Sequence, residues 1–127
     1  MERDDAPFPY ATFLDVKFPP LTAFDIRTLV EENEHPWYNQ TLCRVNDSVL
    51  RLGVFHGEYH WHKHDRDDEL FFVLDGVLLV DLEDRTVELK PWQGFVVPRG
   101  IVHRTRAPEH AVVLMMETAE IVPTGDE

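Results

Sequence analysis

One stretch constrains this chain more than any other: His60-Trp61-His62-Lys63-His64-Asp65-Arg66-Asp67-Asp68-Glu69, then Leu70-Phe71-Phe72-Val73-Leu74-Asp75-Gly76. Its first half alternates histidine with other residues. Alternate side chains of a β-strand point to one face, roughly 6.6–6.8 Å apart along the chain, so His60, His62 and His64 are expected to share a face. Asp65 to Asp68 is charged and turn-like, and the chain is expected to fold back there. Glu69 opens an apolar run that ends at Asp75-Gly76, a hairpin signal. Two imidazoles from one strand and a carboxylate from the next form a metal-binding arrangement. A further candidate follows Pro98-Arg99-Gly100, where proline fixes its own φ and glycine can supply φ > 0. That turn is expected to return His103 toward the same interior. The candidate ligands are therefore His62, His64, Glu69 and His103, a set that suits one divalent transition metal: Fe, Mn, Ni, Cu or Zn.

At these residues the chain resembles a small single-domain cupin. The first cupin motif runs G-x5-H-x-H-x3,4-E-x6-G. His62, His64, Glu69 and Gly76 match it in type and spacing, and the leading glycine comes one place late, at Gly57. The second runs G-x5-P-x-G-x2-H-x3-N. Pro98, Gly100 and His103 match, while its first glycine falls at Trp92 and its asparagine at Ala107. Trp61-His62-x-His64, with Phe95-Val96-Val97-Pro98-Arg99-Gly100, is similar to a branch often labelled mannose-6-phosphate isomerase-like. The resemblance covers roughly residues 40 to 126. It implies an all-β fold, an antiparallel double-stranded β-helix or jelly-roll barrel, and a homodimer. It does not imply one reaction, because a fold of this kind hosts many chemistries.

The length of 127 residues suggests one domain, with an N-terminal arm and short helix over 1–40 and the barrel over 41–127. No apolar run approaches the ~20 residues that a membrane span needs. The charged start, Met1-Glu2-Arg3-Asp4-Asp5, lacks the apolar segment of a signal peptide. With Cys43 alone there is no internal disulfide, and a cytoplasmic location is expected. A net charge of −12 argues against nucleic acid and anionic membrane surfaces as partners.

Pro7, Pro9, Pro19 and Pro20 make the first 20 residues an extended arm. Its Tyr10, Phe13, Leu14, Val16 and Phe18 are expected to pack on something, a second subunit being one option. Thr22 to Glu34 reads as a helix, with Thr22 as cap, an apolar side of Phe24, Ile26, Leu29 and Val30, and Pro36 as its stop. From Thr41 short strands follow: Leu42–Val45, Val49–Phe55, Val77–Leu82, Thr86–Leu89, Phe95–Val97, Ile101–Arg106 and Ala111–Thr118. Turns every eight to twelve residues argue for a sandwich or barrel of eight or more strands. Phe71, Val73 and Ile101 are expected to line the interior, Trp61 to face outward, and Trp92 to pack over the rim. The acidic end, Glu117, Glu120, Asp126 and Glu127, reads as solvated.

His60 shares the ligands' parity but lies one residue pair away. It is a candidate acid–base residue, since imidazole carries protons well near neutral pH, with an alternative ligand and a partly exposed strand residue as the other readings. Glu58 shares that parity if no bulge intervenes at Gly57, and Arg99 and Arg104 offer charge to an anionic substrate. Three functions are carried forward. The first is a metal-dependent enzyme, of dioxygenase or lyase type, acting on a small organic molecule. The second is a sugar or sugar-phosphate isomerase. The third is a non-catalytic module that binds a metal or small molecule.

Overall fold

The computed structural model describes residues 10–126. Met1-Glu2-Arg3-Asp4-Asp5, Pro7, Pro9 and Glu127 lie outside the described residues. The strands are β1 (Tyr10–Phe13), β2 (Trp37–Val45), β3 (Ser48–Glu58), β4 (Glu69–Gly76), β5 (Leu78–Leu82), β6 (Thr86–Leu89), β7 (Gly94–Val97) and β8 (His103–Thr118). One helix, α1 (Ile26–Glu32), lies between β1 and β2. The strands form one sheet in the order β1-β2-β3-β8-β4-β7, with β5 joining β8 to β6. Every pairing is antiparallel except that of β1 with β2. The all-β expectation holds, with one difference: the sheet folds over an interior without closing into a complete barrel.

β8 is the spine. One side of it pairs with β3, while the other pairs with β5 over His103–Arg106 and with β4 over Ala111–Met116. The two segments expected at Ile101–Arg106 and Ala111–Thr118 are therefore one strand, with a register shift opposite Phe55 and Gly57. The same arrangement removes the hairpin expected at Asp75-Gly76. β4 and β5 do not pair, because both lie along β8. Gly76, at φ 76°, bends the chain between them, and a side chain there would run into the His110 carbonyl.

Alternation sends one set of residues into the fold and the next out of it. Inside lie Phe55, Phe71, Val73, Val80, Val97, Val113 and Met115, all buried. Leu52, Val54 and Val112 point the other way, into a second core under Leu29 of α1. Leu50, Leu52 and Val54 do share a face, as expected, but it is the face beneath the helix. A seven-residue helix is too short to persist alone, and this packing holds it. Asp25, not Thr22, is its N-cap, its carboxylate accepting from the Arg27 N–H at 2.8 Å. The helix ends at Asn33, before Pro36. β2 starts at Trp37, earlier than expected, because β1 joins its edge: Tyr10 pairs with Trp37 in register and its ring packs, tilted, against Tyr59 at 4.5 Å. This part of the arm thus packs on its own chain.

Candidate metal centre

Four sequence-predicted residues meet at one end of the sheet. Glu69 opens β4 and His103 opens β8, while His62 and His64 lie in the β3–β4 connection. That connection is not the regular strand expected. β3 stops at Glu58, and only His62 bridges onward, pairing with His103 through reciprocal N–H···O bonds of 2.8 and 2.9 Å. Gly100 N–H donates to the His64 carbonyl at 2.7 Å. Gly100 has φ 81°, as the tight turn after Pro98 requires. Backbone pairing thus carries all three candidate histidines, although strand parity does not.

One donor atom from each of His62, His64, Glu69 and His103 lies within 4.8 Å of all the others. His64, Glu69 and His103 are buried. Glu69 Oε1 stands 3.5 Å from both His64 Nε2 and His103 Nε2. Carbonyls accept hydrogen bonds only, so His62 Nδ1, on the His60 carbonyl at 2.9 Å, carries its proton. His103 Nδ1 does the same on the Ile101 carbonyl at 2.9 Å. Each ring therefore presents a bare Nε2. His64 Nε2, Glu69 Oε1 and His103 Nε2 are buried without a hydrogen-bond partner. Orphaned polar atoms that converge in this way are costly unless something binds them. Three imidazoles and a carboxylate fit a divalent transition metal.

Electrostatics prepare the same set. Burial, aided by the neighbouring His103, lowers the His62 pKa to about 3, so the ring stays neutral. Glu69 is held well below the usual carboxylate range. Burial alone would raise it, but the Glu117 carboxyl and the neighbouring His103 and His64 outweigh that effect. Glu117 is pushed well up, by burial first and then by the Glu69 charge. The expectation that Glu117 is solvated is thus overturned: it is buried beside Arg51, whose Nε stands 2.8 Å from Glu117 Oε1. The signal was its parity with Ala111, Val113 and Met115 on β8.

His60 is near the cluster, its ring 5.3 Å from that of His62. Its Nε2 bonds to the Thr124 carbonyl at 2.7 Å, and its Nδ1 is buried without a partner. The bulge at Gly57 does occur, and it turns Glu58 outward to Arg104 at 3.6 Å. Arg104 also pairs with Asp81 at 2.9 Å and covers the half-exposed Trp61 ring at 4.9 Å. Arg99 pairs with exposed Asp68. Ile101 is 42% exposed and does not line the interior. Trp92 is 75% exposed, with φ 71°. Its backbone keeps the conformation that a glycine at that motif position would adopt freely.

The comparisons agree with this geometry. The model of the Cupin domain family matches residues 53–118. The Bacillus subtilis (strain 168) protein YdbB, itself uncharacterised, is 42% identical over 94 residues, spanning 73% of this chain and 83% of its own. A cupin-2 domain-containing protein from Shewanella frigidimarina superposes with a TM-score of 0.72 at 25% identity, over 76% of this chain and 94% of its own. Protein NMB1881 from Neisseria meningitidis gives 0.68 at 21%, over 76% and 99%, a likeness of fold alone.

Proposed function

Because the chain belongs to the Cupin domain family, we propose that its four-donor cluster serves a metal-dependent enzyme, of dioxygenase or lyase type, acting on a small organic molecule. The observation that carries this reading is the convergence of His62, His64, Glu69 and His103 with three donor atoms buried and unpartnered. A bound transition metal supplies Lewis-acid or redox chemistry. The chain supplies the rest. The four side chains would hold the ion, and the peptide pairing of His62 with His103 fixes two of them. Trp37, Phe55, Phe71 and Met115 exclude water from the floor of the site. His60 holds a proton at Nε2, as its carbonyl partner requires, and is the residue we propose for proton transfer.

Arg104 is committed to Asp81 and Glu58, and Arg99 to Asp68. Neither is set to clamp a phosphate at the cluster, which favours this reading over a sugar-phosphate isomerase of the mannose-6-phosphate isomerase-like branch. No helix of the described residues is long and apolar enough to cross a membrane. We place the activity in the cytoplasm, which suits the lone Cys43.

The test is anaerobic reconstitution with Fe(II), Mn(II), Ni(II) and Zn(II), then oxygen uptake by the Fe(II) form with diketones, phenolics and thiols. We expect about one metal per chain and turnover with one of these classes. His60→Ala should keep the metal and lose roughly 10²-fold in turnover. A fully loaded protein that copurifies with a tightly held ligand and turns over nothing would instead be the non-catalytic module.

We also propose that the protein is a homodimer, with its interface on a sheet face rather than on the arm. The outward face of β7, β4 and β8 aligns Val96, Leu70 and Met116 across the sheet in register. Val96 is 51% and Met116 42% exposed. On a chain of charge −12 this row is uncharged, so two copies can meet there without like charges in contact. Met116→Asp should halve the mass seen by light scattering. A wild-type mass of one chain at high micromolar concentration removes the dimer.

A further inference from the structure

The end of the described chain lies across the mouth of the metal centre. Ile121 is buried, and beyond it Pro123 lines the same interior cavity as His62 and Glu69. Tyr59 donates its hydroxyl to the Pro123 carbonyl at 3.3 Å. The neighbouring His60 donates Nε2–H to the Thr124 carbonyl at 2.7 Å. Gly125, at φ 97°, passes so close to His62 that a Cβ there would stand 2.6 Å from the His62 Cβ. Asp126 N–H donates to the Lys63 carbonyl at 2.8 Å, and its carboxylate accepts from Asp65 N–H at 2.7 Å. With this segment in place the cavity measures about 20 Å³, room for roughly one water. An organic molecule cannot share it.

Resting on the proposed function, we propose that residues 121–126 occupy the ligand's place. The Pro123 and Thr124 carbonyls stand where the oxygens of a small carboxylate or carbonyl compound bind once the segment lifts. Tyr59 and His60 are the receiving pair. They are adjacent in sequence, and their rings stack at 4.3 Å, so the two donors are fixed relative to each other. Tyr59 also stacks on Trp37 at 5.4 Å, which offers an apolar wall to the body of the ligand. The bound compound is therefore one with an apolar body and one or two acceptor oxygens. The segment is an internal competitor for it. Its hold is a handful of hydrogen bonds, without a large apolar anchor beyond Ile121, so it can yield to a ligand.

Calorimetric titration with benzoate and acetophenone tests this. Each is added to the full chain, to a chain ending at Glu120, and to full-length Gly125→Ala, whose new Cβ forces the segment off His62. All three are measured metal-free and zinc-loaded, with metal content determined separately. We expect the shortened chain and Gly125→Ala to bind at least one of the two compounds about tenfold or more tightly than the full chain. In the background of either variant, Tyr59→Phe and His60→Ala should each weaken that binding by about tenfold, the scale of one hydrogen bond in a closed site. Gly125→Ala retains every other residue, so it decides the matter if the shortened chain does not fold. Equal affinity in all three forms, binding of neither compound, or indifference to Tyr59→Phe and His60→Ala would overturn the inference. Failure to take up any metal would overturn the proposed function instead, leaving the metal-free comparison to judge this one.

Discussion

His62→Ala and His103→Ala are each expected to abolish retention of the metal, with affinity lowered by well over a hundredfold. Changes to groups that merely orient ligands cost about 10–100-fold, and these substitutions remove ligands outright. They also break more than a donor. His62 and His103 are paired through both peptide groups, and each ring is aimed by its own carbonyl contact. Glu69→Ala should hurt less, because three imidazoles remain. Chelator competition followed by elemental analysis reads all three, and a His103→Ala protein that keeps one tightly held metal per chain would end the assignment.

The metal-free protein carries a pH signature of the same site. The unfolded chain protonates His62 near pH 6.5, but burial holds the folded ring neutral down to about 3. Between these values the unfolded state binds more protons than the folded one. This contribution to stability is therefore complete above about pH 6.5 and falls as pH drops toward 3. Urea midpoints should show His62→Ala losing part of the wild-type decline between pH 7 and pH 4.

How much of this was legible in the sequence depended on which force placed each residue. The meeting of the four candidate residues was legible because the turns have chemical signatures: Pro98 and Gly100 bring His103 back whatever the strands do. The cause assigned to the His62/His64 geometry was not right. Strand parity does not carry them; pairing of His62 with His103 does, and that contact spans 41 positions that no local pattern encodes. The hairpin at Asp75-Gly76 failed for a related reason. Its residues favour a reversal, but β8 is long enough to pair with β4 and β5 in turn, so the chain bends there instead of reversing. Glu117 was misplaced because an acidic residue near the end of a chain is usually solvated. Period-two alternation from Ala111 placed it inside, where the buried Arg51 meets it.

That buried pair supports the second large effect. Glu117→Ala is expected to destabilise the metal-free protein by about 1.5–3 kcal/mol, the worth of a hydrogen bond to a charged group, because it removes the carboxyl that the buried Arg51 guanidinium faces. The Arg51 and Glu117 side chains are each 2% exposed, and Arg51 Nη1 already lacks a hydrogen-bond partner. Without Glu117 the guanidinium, which cannot shed its proton, would be left in the interior without that partner. Replacing both partners with apolar residues, Arg51→Met with Glu117→Leu, should cost less than Glu117→Ala alone, because the buried guanidinium leaves together with its partner. The metal site should register both changes. Glu117 hydrogen-bonds to Glu69 and helps to hold it as a carboxylate, so metal affinity is expected to fall roughly 10–100-fold in the double variant even where stability recovers. Urea unfolding gives the first quantity and chelator competition the second. A Glu117→Ala protein within about 1 kcal/mol of wild type would mean that water or a rearranged Arg51 meets the charge, and the pair would lose its structural role.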